Sequence, residues 1–103
     1  MNTGEFGVNF VFSCGYDMSA NTSLGITFTK PDGTTLTVSS PDVTVPAIDL
    51  QTTLGLFVAH QYVSYTFVDG DVDQAGEWSA RVTYNDAAPR HLISDPGSFL
   101  VSP

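Results

Sequence analysis

One cysteine, two histidines and three basic side chains are all that this chain of 103 residues offers to thiol, imidazole or phosphate-binding chemistry. Cys14 has no second cysteine to pair with, which excludes an internal disulfide and a thiolate metal cluster. It reads as a small buried hydrophobe. Lys30, Arg81 and Arg90 stand against eleven acids, for a net charge of −8. That balance repels phosphate backbones and anionic headgroups, so neither nucleic acid nor a membrane surface is an expected partner. No apolar run approaches the ~20 residues that span a bilayer. Residues 1–7 have neither the basic stretch nor the apolar centre of a secretory signal, and the expected place of synthesis is a reducing cytoplasm. No long segment repeats its apolar residues at helical spacing. Charged residues make up 14% of the chain, against a usual ~25%. The surface is therefore rich in Ser, Thr, Asn, Gln and Gly, which suits packing against other proteins.

What the chain does have is alternation. Phe6, Val8, Phe10, Phe12 and Cys14 alternate with Gly7, Asn9, Val11 and Ser13, the period of a half-buried strand. Leu24, Ile26 and Phe28 repeat the pattern, and Leu36 and Val38 continue it beyond Lys30-Pro31-Asp32-Gly33. Pro31 presets φ for a turn, and Gly33 tolerates φ > 0 there. Val43 and Val45 alternate briefly, with Pro46 marking an edge or a bulge. Residues 47–57, "AIDLQTTLGLF", fit either a short helical turn or irregular strands. Val63, Tyr65 and Phe67 share one strand face; Tyr62 lies on the other and is expected to be an exposed contact residue. Trp78, Ala80, Val82 and Tyr84 give the cleanest alternation. Residues 91–94 and 98–101 read as a last strand interrupted by Asp95-Pro96-Gly97. About seven strands separated by regular turn signals predict a single all-β domain over residues 1–103, an immunoglobulin-like antiparallel β-sandwich. Its expected core includes Phe10, Phe12, Ile26, Phe28, Tyr65, Phe67, Trp78 and Val82. It lacks the paired cysteines of antibody domains.

Sites for chemistry are sparse. Asp69, Asp71 and Asp73 match positions one, three and five of a calcium loop, but Gln74 stands where that loop needs Gly and Ala80 where it needs a bidentate Glu. The stretch reads as an acidic turn. His60 and His91 are far apart in the chain, and no serine sits in a Gly-x-Ser-x-Gly elbow. Cys14 has apolar same-face neighbours, a poor place for a thiolate. No enzymatic activity, metal or cofactor is expected.

Two stretches carry a resemblance. "YDMSANTSLGITFTKPDGTTLTV", residues 16–38, and "DGDVDQAGEWSARVTY", residues 69–84, resemble in order and spacing a pattern of small virion proteins of tailed bacteriophages. The pattern is similar to the immunoglobulin-like N-terminal domain of phage baseplate upper proteins and to short standalone relatives. The resemblance implies a virion component that works by docking onto other virion proteins. It assigns Pro31, Asp32, Gly33 and Gly76 to turns and Trp78 to the core, and carries over no catalytic or metal residue. Baseplate upper proteins have a long region after this domain that these 103 residues do not include, so a standalone structural or decoration role in capsid, neck or tail is expected. A receptor- or carbohydrate-binding module using Tyr62 and Tyr84 is the alternative. The predicted strands from Leu24 to Val45 carry almost no charge to defend sheet edges, which points to a homo-oligomer or lattice whose neighbours cover them.

Overall fold

A computed structural model describes all residues from Met1 to Pro103. It contains nine strands: β1 (Asn9–Ser13), β2 (Asn21–Thr29), β3 (Thr35–Ser39), β4 (Leu50–Thr52), β5 (Gly55–Phe57), β6 (Tyr62–Thr66), β7 (Gly76–Asp86), β8 (Arg90–Ile93) and β9 (Gly97–Val101). All strand pairs are antiparallel, and two packed sheets hold the core.

The larger sheet runs β3-β2-β7, with β8 and β9 following one another along the far side of β7. Leu24, Ile26 and Phe28 of β2 lie beside Tyr84, Val82 and Ala80 of β7. These residues and Trp78 are buried, so one face of each strand is apolar, as the alternation requires. The last strand does break. Register against β7 shifts by one residue between β8 and β9, the signature of a bulge. Ser94 bridges the gap: its N–H donates to the Val82 carbonyl (2.9 Å) and its Oγ accepts from the Val82 N–H (2.8 Å).

The smaller sheet is β1-β6, with Thr44 bridging to Ser64 on the far side of β6. The alternation at Val43 and Val45 thus yields one bridge, not a strand, although Val43 is buried. The layers meet through aromatic rings. Phe10 lies edge-on to Phe28 (5.0 Å between centroids) and near Phe99 (5.3 Å), while Phe67 lies 5.3 Å from Phe28. Each fully buried ring of this size contributes roughly 1.5–3 kcal/mol.

Phe10 and Phe12 are half-buried, not central as expected. They pack against the core but belong to β1, which has a neighbour on only one side. The unread segment 47–57 supplies the hairpin β4–β5, held at its turn by Thr52. Its Oγ1 accepts from the Leu54 N–H (3.1 Å) and donates to the Gly55 carbonyl (3.0 Å). This hairpin corrects the reading of Tyr62. The residue is only 2% exposed, because the ring packs on Phe57 at 5.5 Å and its hydroxyl donates to the Ile48 carbonyl (3.0 Å).

Candidate interaction surface

The two stretches that carry the phage resemblance meet in one corner, where the turn after β2 lies against the segment leading into β7. Gly33 has φ +88° and donates to the Lys30 carbonyl (2.9 Å), closing the turn between β2 and β3. Asp32 Oδ1 accepts from the Thr34 N–H (3.0 Å) and hydroxyl (2.6 Å). From the other stretch, Asp73 pairs with Lys30 at 2.8 Å, and Gln74 Oε1 accepts the Asp32 N–H at 3.3 Å. The Lys30 ammonium lies 5.5 Å above the Trp78 ring, whose Nε1 donates to the Gln74 carbonyl (3.0 Å). Gly76 is the first residue of β7 rather than a turn residue, yet it keeps φ +128°. A Cβ there would stand 2.8 Å from Cγ of Pro31. Pro31, Asp32, Gly33 and Gly76 therefore brace one another and build no pocket.

Several titratable groups are likewise engaged in structural contacts. Asp71 Oδ2 accepts from the Tyr65 hydroxyl (2.6 Å) and the Val68 N–H (2.9 Å), while Asp73 faces Lys30. No three His, Cys, Asp or Glu side chains form a metal-holding group. Burial pushes the Cys14 thiol up to about 11, against a smaller opposing effect from Tyr16. His91 Nδ1 lies 2.6 Å from Asn85 Oδ1. Asp86 is the one buried charge. Its Oδ2 accepts from the Tyr84 hydroxyl (2.8 Å) and Arg90 Nε (2.9 Å), and its Oδ1 from the N–H groups of Ala88 and Arg90. The bond from Tyr84 first, then those from Ala88 and Arg90, hold the carboxyl at about 2, although burial opposes them. Tyr84 itself is fully buried, so neither tyrosine of the carbohydrate-binding alternative reaches the surface.

One part of the surface is apolar and free of charged side chains. Between β1 and β9 the two sheets part, leaving an open groove of about 460 Å³. Phe10, Phe12 and Phe99 line it, Leu100 and the hairpin residues Leu54 and Phe57 flank it, and no charged side chain is present. Leu54 is 90% exposed, Leu100 71% and Ile48 71%. Single exposed apolar residues are ordinary; Ile48 lies apart from the groove, whereas Leu54 and Leu100 both border it. Strand alternation does not disclose this groove, because Leu54 and Leu56 are apolar residues that the fold leaves outside. The available signal was Gly55 between two short apolar stretches, a hairpin pattern. Comparison with family models, curated proteins and solved structures finds no match to this chain.

Proposed function

We propose that the chain is a structural protein of a bacteriophage virion, an immunoglobulin-like sandwich acting as an attachment, cementing or adaptor module in capsid, neck or tail. It is made in the host bacterial cytoplasm, and its partners are other virion proteins and further copies of itself. The observation that carries this reading is the uncharged apolar groove at an open sheet edge, flanked by Leu54 and Leu100. A surface of that kind is suited to docking.

The immunoglobulin-like assignment is supported by strand order. One sheet holds β3-β2-β7 and the divided last strand; the other holds β1-β6 and the Thr44 bridge. The N-terminal segment lies parallel to the chain end through Asn2 and Ser102. The phage assignment is supported by the two resembling stretches, whose residues Lys30, Pro31, Asp73 and Gly76 meet in one corner. The carbohydrate-binding alternative has no comparable support with Tyr62 and Tyr84 buried. Immunogold electron microscopy and mass spectrometry of purified particles test the proposal. The protein should be present at a fixed copy number and at a defined position. Its absence from particles would refute the virion assignment.

A further inference from the structure

β1 has a free edge whose hydrogen-bonding groups can be assigned. The Cys14 N–H donates to the Gln61 carbonyl and the Phe67 N–H to the Val8 carbonyl. Together with the pairing of Phe10 with Tyr65 and Phe12 with Val63, these bonds direct the even-numbered residues of β1 toward β6. The alternation of an antiparallel ladder then turns the N–H and C=O of Asn9, Val11 and Ser13 the other way, into the groove. Across the groove, β9 also has a neighbour on one side only along Ser98 and Leu100. A groove with an apolar floor and a wall of free backbone groups is the complement of an extended strand.

We infer that this strand is β1 of a second copy, paired antiparallel about a two-fold axis at Val11, a surface that deepens and rests on the virion-assembly reading above. The register closes on itself. Placing Val11 opposite Val11 of the second copy sets Asn9 opposite its Ser13 and Ser13 opposite its Asn9. Every outward-facing residue then meets another, so the free N–H and C=O groups exchange bonds in full. An isologous contact demands such self-complementarity. Phe10 of one copy lies beside Phe12 of the other on the inner face of the joined sheet. Charge is compatible with the same site: each copy carries −8, but the residues lining the groove include no carboxylate, so like-charged chains meet there without opposing carboxylates. The flanking Leu54 and Leu100 become the rim of the contact. The β3 edge also turns Thr35, Thr37 and Ser39 outward, but it borders no apolar groove.

Sedimentation velocity on the full chain provides the test. The expected species has twice the chain mass. Val11→Pro removes an N–H that has no partner within the chain, so the fold persists, while the dimer dissociation constant rises by about tenfold or more. Thr37→Pro on β3 should leave the dimer intact. Val11→Cys in a Cys14→Ser background should cross-link to itself under mild oxidation. Residues opposed in a hydrogen-bonded antiparallel pair lie about 5.5 Å apart at Cα, within the span of a disulfide. If Val11→Pro fails to fold, this cross-link decides, and its failure overturns the inference. A dimer that survives Val11→Pro but is lost with Thr37→Pro overturns the β1 edge and leaves homo-oligomerisation standing. A chain that stays monomeric at high concentration overturns the self-pairing, and its presence or absence on particles then judges the virion reading separately.

Discussion

Gly76→Ala is the most demanding single substitution in the corner, because two costs coincide there. Gly76 has φ +128°, a conformation that a side chain adopts at about 1–3 kcal/mol. The new Cβ would also stand 2.8 Å from Cγ and 3.1 Å from Cβ of Pro31. A proline ring cannot swing aside like the end of a long side chain, so forced overpacking adds about 1–3 kcal/mol. The total is about 2–6 kcal/mol, a large share of the ~5–15 kcal/mol that stabilises a domain of this size. A loss of ~3 kcal/mol lowers Tm by roughly 12–24 °C. Gly33→Ala is the control: φ is +88°, but nothing lies within 4 Å of the added atom, so only the backbone cost of about 1–2 kcal/mol applies. Urea unfolding of Gly76→Ala, Pro31→Ala and the double variant separates the two contributions. Removing the Pro31 ring should relieve the clash, leaving the double variant at least ~1 kcal/mol more stable than additivity predicts. Strict additivity, or a loss below ~1 kcal/mol for Gly76→Ala, would refute the reasoning.

Three further outcomes follow from the described contacts. The Asp86 carboxyl sits at about 2 in the fold, below its ordinary 3.8; its contribution is therefore full above about pH 4 and is lost as pH falls toward 2. The midpoint of urea unfolding should drop across that window in the parent and change less in Asp86→Asn. Cys14, raised to about 11 by burial, should react with iodoacetamide at pH 8 far more slowly in the native protein than in urea; equal rates would mean that the thiol is accessible. Millimolar calcium should leave Tm unchanged, since Asp71 and Asp73 are already engaged by Tyr65 and Lys30. A rise of several degrees that Asp71→Ala abolishes would show a site in the acidic turn.

Period-two patterning located β2, β3, β6 and β7 because each turns one apolar face toward the core, and the alternation follows that face. The Pro31-Gly33 turn was legible for a different reason: its backbone conformation restricts which residues fit. Asp95-Pro96-Gly97 likewise marked the break that became the bulge between β8 and β9. The pattern fails where burial comes from outside the sheet. Tyr62 lies on the outward face of β6, as the alternation indicates, but β4–β5 folds over it, and no local period reports a cover supplied by another segment. That hairpin was itself obscured by carrying Leu54 and Leu56 on its exposed side. The groove is the least legible feature of all, since it arises from the spacing of two sheet edges that meet only in the folded chain.

The pairing of β1 with β6 sets a schedule for the newly made chain. β1 is synthesised first among the strands, yet its only neighbour, Tyr62–Thr66, comes about fifty residues later. At the ~5–20 residues per second of translation, Phe10 and Phe12 wait about 2–10 s before their partner strand exists. During that interval β2 and β3 can already form a hairpin through the Pro31-Gly33 turn, whereas β1 remains an apolar ribbon without a ladder. The strand with the longest delay is also the one left with an open edge in the finished sandwich. Crowded nascent chains on one messenger are thus the setting in which its apolar face is most available to chaperones, or to a neighbouring chain at the same stage.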